Sequence, residues 1–449
     1  MREFLKGRLY SGYHFNIRKK DINNLNLSER TVLLYRIRGT EIITISRIVK
    51  ICRKRNGEIR YILPMKKGVL RELDISGPCN LEIEILDKKP RGYKPVQARM
   101  RKCIDIISLL NDKSFTCIPY ENKLYIFCQG GGIGGSSFVS VPRHLVLDDS
   151  LFWNIGFYLA EGLKTNNNRI SVSNSEWYLI RRFMDFLDER LDINISSLYL
   201  YIRVSDKKKE LPSIAFWSEK LGIDKSQIRA SIPRMRPPRT KFGNAELVFY
   251  NTALSRLFMS LFSWAISSNL NREDTLSLIR GIEAGDGYIM EHGGIEIGVV
   301  SNNELAGTIL RLFRKIFKDM RIRDHHTSDN AKIIYCKGRR VATEFLLDGH
   351  FKEHEKRRAR LTELLRYYLR KDINYLRLFE KKKSTKDISE ECAITYRAAN
   401  IMLKKLESNG YLNRSFSEVK NINNERRYRT RTFGLSRKGE QLLKYMRLN

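Results

Sequence analysis

The sequence is short of acid. Its 449 residues carry 50 Asp and Glu against 83 Lys and Arg, a formal net charge of +33. That imbalance excludes an ordinary metabolic enzyme working on small anions in passing, and it points to a polyanionic partner. Cysteine is also scarce. The seven, at 52, 79, 103, 117, 128, 336 and 392, stand singly with no C-x-x-C pair, so neither a zinc ribbon nor a disulfide scaffold is indicated. A reducing compartment is expected, cytoplasmic and close to the nucleoid. No membrane span is expected. The longest apolar stretch, Leu254 to Leu270, contains Arg256 and several serines, and its periodicity suits a half-buried helix. Met1 to Leu9 is charged and no apolar core follows, so no signal peptide is expected. Polar low-complexity tracts are missing as well, while 42% of residues are hydrophobic. The chain is therefore read as globular, with enough length for about three domains.

What is present divides accordingly. Residues 1–145 read as a β-rich region, with strand-like runs at Thr31–Ile37, Glu41–Val49, Glu58–Leu63, Leu81–Leu86 and Lys123–Phe127. Within it, Arg60 to Leu86 reads as strand, short helix, glycine turn, strand, and this resembles the looped-hinge hairpin of AbrB-like DNA-binding domains. Gln129 to Ser137 contains G-x-G-x-x-G at Gly130, Gly132 and Gly135. A β-like run with Pro142 follows it, where a dinucleotide site needs a helix N-terminus, so the stretch reads as a hairpin or linker.

Residues 146–370 change to helices alternating with short strands, and two parts repeat. Asn154-Ile-Gly-Phe-Tyr-Leu-Ala-Glu-Gly162 is followed by a strand and by Ser173-Asn-Ser-Glu176; Ile279-Arg-Gly-Ile-Glu-Ala-Gly-Asp-Gly287 is followed by a strand and by Ser301-Asn-Asn-Glu304. Each Ser-x-x-Glu reads as a capping box opening a helix. In the repeated helices, Gly156 with Ala160 and Gly281 with Gly285 place small residues four apart, a stripe on which two backbones could pack closely. Each stripe ends in an acid and a glycine, Glu161-Gly162 and Asp286-Gly287, with the glycine expected in the left-handed conformation. A carboxylate in a last helical turn faces the negative end of the dipole at a cost of about 0.3 to 1 kcal/mol. A divalent cation would offset that cost, and hard oxygen ligands with no nearby Cys or His favour Mg²⁺, with Mn²⁺ as a substitute.

This pair of motifs resembles the two motifs of a single-chain LAGLIDADG homing endonuclease, in an archaeal-like form ending Ala-Glu-Gly. The departures are Leu159 and Ala284 at the family's first acid position and Gly285 for the usual alanine. The resemblance implies an α+β fold, a duplicated αββαββα saddle whose sheets hold helices on one face and DNA on the other. It implies a pseudo-symmetric monomer, Glu161 and Asp286 as metal ligands and catalytic acids, and site-specific cleavage of double-stranded DNA. It also implies a basic residue from the last strand of a repeat, here Lys337; the corresponding stretch of the first repeat offers Asn251. The sheet faces show the required alternation: Tyr199, Tyr201, Arg203 and Ser205 against Leu198, Leu200, Ile202 and Val204, and Arg169, Ser171 and Ser173 against Ile170 and Val172. His350, Glu353 and His354 fit H-x-x-E-H, but the surrounding run reads as a basic amphipathic helix with a solvated histidine pair.

Residues 371–449 hold nineteen Lys and Arg against nine Asp and Glu. Three helices, the first over Leu376 to Lys383, then a basic hairpin and a final helix give the pattern of a winged helix-turn-helix. Its recognition helix would turn Ile401, Leu403, Leu406 and Leu412 inward and Tyr396, Arg397, Asn400, Lys404 and Lys405 toward DNA. Arg426, Arg427, Arg429 and Arg431 would lie on the wing. No nucleophile stands at residue 1 and no His-Asn pair at the end, so protein splicing is not expected. The expected activity is a freestanding metal-dependent endonuclease. The alternative is a non-cleaving transcriptional regulator built on the same fold, as in bacterial sporulation regulators.

Overall fold

The computed structural model describes residues 3–10, 13–52, 59–96, 102–110, 114–129, 137–163, 168–233, 238, 240–291, 294–300, 303–324, 331–420 and 427–447. They form two compact units, Met1–Leu278 and Ile279–Asn449.

The first unit opens with β1 (Glu3–Tyr10), β2 (His14–Ile17), α1 (Lys19–Asn24), β3 (Thr31–Ile37), β4 (Ile43–Arg47), β5 (Val49–Cys52), β6 (Ile59–Pro64), α2 (Lys67–Glu72) and β7 (Asn80–Pro90). The strands make one antiparallel sheet in the order β4-β3-β7-β1-β2-β6-β5. Alternation decides its faces. In β1, Leu5 and Leu9 are buried while Lys6, Arg8 and Tyr10 are exposed. Leu5 and Leu9 share a core with Phe15, Leu33, Tyr35, Leu63 and Ile83, closed over by Ile22 of α1 and Leu70 of α2. Residues 60–86 are therefore not a hairpin. β6 pairs with β2 and β5, β7 pairs with β1 and β3, and two strands stand between them, because α2 anchors Leu70 in the core and carries the chain across the sheet.

Next come β8 (Cys103–Asp105), β9 (Phe115–Tyr120), β10 (Lys123–Cys128), β11 (Ser137–Pro142) and β12 (His144–Val146). β10 and β11 are antiparallel with Cys128 opposite Ser137, so the glycine-rich run joins two strands; residues 130–136 themselves lie outside the described residues. Ile118, Tyr125 and Phe127 pack on Val32, Leu34 and Ile45. β3 is thus covered on both faces, which accounts for its unbroken apolar run.

The unit continues with α3 (Asp149–Glu161), β13 (Ile170–Asn174), α4 (Trp177–Leu191), β14 (Tyr199–Arg203), α5 (Glu210–Leu221), β15 (Ile228–Ser231), β16 (Asn244–Phe249) and α6 (Thr252–Ser267). The sheet order is β13-β16-β14-β15, antiparallel except for the β14–β15 pair. α3 is buried from Leu151 through Leu159, as expected of a helix apolar all round. Its Tyr158 packs with Phe183 of α4 and Phe258 of α6, ring centroids 6.1 and 5.1 Å away. α7 (Arg272–Asp286) begins in this unit and ends in the next.

The second unit carries β17 (Gly287–Ile289), β18 (Ile295–Val300), α8 (Asn303–Ile316), β19 (Arg321–Asp324), β20 (Ala331–Cys336) and α9 (Arg339–Leu347). From α7 to α9 the order is helix, strand, strand, helix, strand, strand, helix, and the antiparallel sheet runs β17-β18-β20-β19. α10 (Glu355–Leu376), β21 (Lys383–Ser384), α11 (Thr385–Glu391), α12 (Tyr396–Ser408), β22 (Leu412–Lys420), β23 (Arg427–Leu435) and α13 (Arg437–Arg447) follow, with the sheet β21-β23-β22. The expected helix over 376–383 is absent. The apolar stripe of α10, Leu361, Leu365, Leu369, Ile373 and Leu376, stops there, and Lys381 to Lys383 offer nothing to bury. Among the described residues no helix is long and apolar enough to cross a membrane.

Phe258 is almost wholly buried, and its ring also meets Phe183 at 5.9 Å and Phe186 at 6.2 Å. Phe258→Ala should destabilise the first unit by about 3 to 5 kcal/mol. Urea denaturation followed by circular dichroism reads the change; a loss below about 1 kcal/mol would deny this cluster its role in holding α3.

Candidate functional site

Glu161 is the last residue of α3 and half-buried. Its Oε1 accepts a hydrogen bond from Asn174 Nδ2 at 2.7 Å, across from the end of β13. Asn174 works in both directions, since its Oδ1 also accepts the Glu176 amide at 2.9 Å. That contact, not a Ser173–Glu176 capping box, starts α4: Ser173 belongs to β13, and the Glu176 side chain does not cap the helix. The second Ser-x-x-Glu begins at Ser301 and Asn302, outside the described residues. The capping box that does form joins Ser384 and Asp387 at the start of α11.

Gly162 is extended, φ −80° and ψ 148°, because the chain leaves α3 to bridge Val172 in the sheet. The expected left-handed turn is absent, and glycine is required for another reason. A Cβ there would lie 2.3 Å from the Tyr158 carbonyl oxygen and 2.5 Å from its ring. Tyr158 also donates its hydroxyl to the Leu163 carbonyl at 2.8 Å. Burial pushes that hydroxyl up to about 12, so it remains a donor. The acid thus leaves its helix along a path fixed on both sides.

Asp286 ends α7, half-buried, and Gly287 passes directly into β17. Gly287 also is not left-handed; its Cβ would meet the Glu283 carbonyl oxygen and the Phe351 ring, each at 2.6 Å. The last carbonyls of a helix have no partner within it. Here Arg357 of α10 supplies one, donating to the carbonyls of Glu283, Ala284 and Gly285 at 2.7, 3.0 and 3.0 Å. The guanidinium charge opposes the negative helix end on which Asp286 stands. The sequence held no signal for this residue, which sits in a run of basic residues.

One turn earlier lies Glu283, fully buried, with Oε2 2.5 Å from His350 Nδ1, also fully buried. The two groups share a buried hydrogen bond. His350 and His354 are thus not a solvated helical pair: α10 begins at Glu355, and both histidines lie inside, in the turn after α9. Arg280 ties that turn down by donating to the Asp348 carbonyl. Burial holds the Glu283 carboxyl well above the ordinary carboxylate range, with Arg280 and Arg357 opposing and Glu353 and Asp348 adding to the rise. Among the described residues no cluster of three or more His, Cys, Asp or Glu is placed to hold a metal.

Lys337 is exposed between β20 and α9, its Nζ 6.0 Å from the Tyr335 ring centre. Asn251 caps α6: its Oδ1 accepts from the Leu254 amide at 3.0 Å and the Ser137 hydroxyl at 2.8 Å. Its Nδ2 donates to the Phe138 carbonyl at 2.7 Å, so the residue is structural.

The sheet β13-β16-β14-β15 presents the expected residues along one face. Ser171 and Tyr199 are both opposite Val248, and Ser173 and Tyr201 are both opposite Glu246. Arg169 and Arg203 reach Glu246 at 3.4 and 3.7 Å. Ser171 nevertheless is buried, since Val248 and its neighbours cover so short a side chain. Tyr250 joins this face unforeseen, its hydroxyl 3.1 Å from that of Tyr201. On α12, Tyr396, Arg397, Lys404 and Lys405 are exposed and Asn400 is half-buried; Lys405 pairs with Asp372 at 2.8 Å. Ile401 is 61% exposed, against expectation. Ala399, Leu403 and Leu406 set the inward face, and two residues from Ala399 at 3.6 per turn is the opposite side. Arg431 is exposed on β23, Arg427 and Arg429 occupy β23 opposite Lys420 and Glu418, and Arg426 lies outside the described residues.

No family model matches the chain. No curated protein matches it. Among solved structures it is similar to I-DmoI in complex with DNA and Mn, at 14% identity and a TM-score of 0.26, covering 44% of this chain and 95% of that one. It is likewise similar to I-DmoI in complex with DNA and Ca, at 13% and 0.25, covering 46% and 92%. A variant of I-DmoI with its target DNA in the presence of Mg gives 13% and 0.24, covering 44% and 94%.

The buried pair makes a prediction. Because Glu283's native value is raised, its contribution to stability is complete below its ordinary value of 4.5 and is lost as pH rises through the raised native value. Glu283→Gln keeps an acceptor for the imidazole without titrating. Urea midpoints measured from pH about 5 to 9 should fall for the wild type and fall much less for the variant. Parallel curves would mean the pair does not hold its proton as described.

Proposed function

We propose that the chain is a site-specific, metal-dependent endonuclease for double-stranded DNA, of the LAGLIDADG homing-endonuclease type, with Glu161 and Asp286 as its metal ligands. The observation carrying this reading is that two sequence-repeated helices each end in a carboxylate followed by a glycine that must be glycine, with dedicated groups holding each end. Each acid is a hard oxygen donor, half-open to solvent, of the kind that takes Mg²⁺ or Mn²⁺. When bound, Mg²⁺ or Mn²⁺ would polarise the phosphodiester and favour deprotonation of the attacking water.

The chain's own residues do the rest. Asn174 fixes the rotamer of Glu161 by donating to Oε1, and Arg357 compensates the helix end beneath Asp286, so neither acid must reorganise on binding. Lys337, exposed after β20, would offset charge on the departing phosphate. Tyr199, Tyr201, Arg169 and Arg203 form a polar face for phosphates and base edges. Residues 371–449 are read as a winged helix: two short helices, the second presenting Tyr396, Arg397, Asn400 and Lys404, and a basic hairpin. That module favours the second reading, a DNA-binding regulator that does not cut, because Tyr396 and Ile401 leave large apolar surface on the face of α12.

Glu161→Gln and Asp286→Asn should each abolish Mg²⁺-dependent cleavage of the DNA flanking the gene while preserving affinity for it. Full cutting by either variant would end the metal assignment, and tight binding by wild type without cutting in Mg²⁺ or Mn²⁺ would install the regulator reading. Glu246 gives a second test of the sheet face. Glu246→Gln releases Arg169 and Arg203 for phosphates, so duplex affinity should rise and the log–log salt slope should steepen by up to about 1.8. An unchanged slope in fluorescence anisotropy titrations would remove this face from the interface.

A further inference from the structure

The N-terminal sheet splits. β1 pairs with β2 only through Arg8–Asn16, Leu9–Phe15 and Tyr10–His14, so Glu3 to Gly7 have β7 as their sole strand partner among the described residues. β2 stops at Ile17, while β6 runs on to Ile59 and pairs there with β5. Between Lys6–Gly7 on one side and Ile59–Arg60 on the other there is consequently no strand among the described residues. The opening is a cleft of about 830 Å³, closed at its apex by Asn16 and Ile17 and by Arg18 and Lys19 at the entry to α1. Gly7 is required at that apex. A Cβ on it would lie 2.2 Å from the Asn16 carbonyl oxygen and 2.8 Å from the Phe15 ring.

The lining is of one charge. Lys6, Arg8, Arg18, Lys19 and Arg60 line it, with Glu82 as the one carboxylate, and Glu82 is already paired to Arg38 at 2.6 Å and to Lys6 at 3.5 Å. Arg18 is paired to Asp21, but Arg8 and Lys19 are exposed. One exposed aromatic stands beside the cations. Tyr10 is 43% exposed with the Arg8 guanidinium 5.9 Å from its ring, while Tyr61 lines the β6 side with its ring half-buried and packed partly on the core.

We propose that this cleft is a binding site for a single-stranded polynucleotide. Cations along a groove with aromatic faces beside them are what a phosphodiester chain with unstacked bases requires. The volume lies within the range of sites that take ligands of a few hundred daltons, so it admits a short stretch of one strand. A duplex offers only its backbone to such a cleft, since its bases are stacked inside and unavailable to Tyr10 and Tyr61. Ribose and deoxyribose strands share this chemistry, and the two are separated by the experiment. The site lies in residues 3–82 and does not depend on whether Glu161 and Asp286 support cleavage.

The test uses the full chain with bromouracil-substituted oligonucleotides of about a dozen residues, one DNA and one RNA, crosslinked by ultraviolet light and mapped by mass spectrometry. Crosslinks are expected in the peptides holding Tyr10 or Tyr61, from whichever sugar is preferred. In the double variant Arg8→Glu, Lys19→Glu they should disappear, with single-strand affinity down about tenfold and the salt slope shallower by about 1.4. Duplex affinity and the thermal melting curve should not change. Crosslinks confined to other peptides would overturn the proposal, as would an unchanged single-strand affinity. Displacement of the Tyr10 or Tyr61 crosslink by unlabelled duplex as effectively as by single strand would overturn the assignment to single strands.

Discussion

A helix ends in carbonyls that nothing within it satisfies, and the two sequence-repeated helices each place a carboxylate on such an end. Each instance adds about 0.3 to 1 kcal/mol of unfavourable charge–dipole interaction. The two are relieved differently. At Glu161 the relief acts on the acid itself, through the Asn174 amide, and the carbonyl end is turned into the sheet by the Gly162 bridge. At Asp286 it acts on the helix, through the three contacts of Arg357. Both solutions require a chain that exits without a Cβ, which is why glycine follows each acid although neither glycine is left-handed.

The second helix carries a further demand in Glu283. A fully buried carboxyl is costly unless it is paired, and a buried pair seldom adds net stability over apolar packing. What it adds is specificity of arrangement. His350 is held by Phe317 and Phe345, with ring centroids 5.3 and 4.5 Å away, so the hydrogen bond between Glu283 and His350 locks the turn after α9 to the helix ending in Asp286. Arg280 and Arg357 act on the same two segments. One end of the helix is therefore positioned by polar contacts to three residues, Asp348, His350 and Arg357.

Periodicity and local chemistry made some of this legible in advance and left the rest hidden. The strand runs at 31–37 and 123–127, the repeated helices, the alternation of Tyr199, Tyr201 and Arg203, and the basic hairpin were all readable, because each depends on spacing within one segment. Arg357, Glu246 and Tyr250 were not, because their partners lie far off in sequence and nothing local sets them apart from other charged or aromatic residues. Ile401 was misassigned by counting hydrophobics instead of angles, and His350 by extending the pattern of α10 five residues before its start. The Arg60–Leu86 segment had the right elements and the wrong pairing, since strand partners are chosen by the whole sheet.

The sequence-repeated halves differ in their sheets. Among the described residues, the chain after α3 makes the single bridge Gly162–Val172 where the chain after α7 forms β17, and α5 and β15 at the far edge of the first sheet have no counterpart beside α7. Neighbouring strands lie about 4.8 Å apart, and stacked base pairs about 3.4 Å. Under the proposed DNA reading, one strand gained at one edge and lost at the other would move a half's reach by more than a base pair. Two halves that differ in this way would not read mirrored sequence, and a palindrome would be the wrong target for them. On that proposal the asymmetry of the protein becomes an asymmetry of the site it addresses.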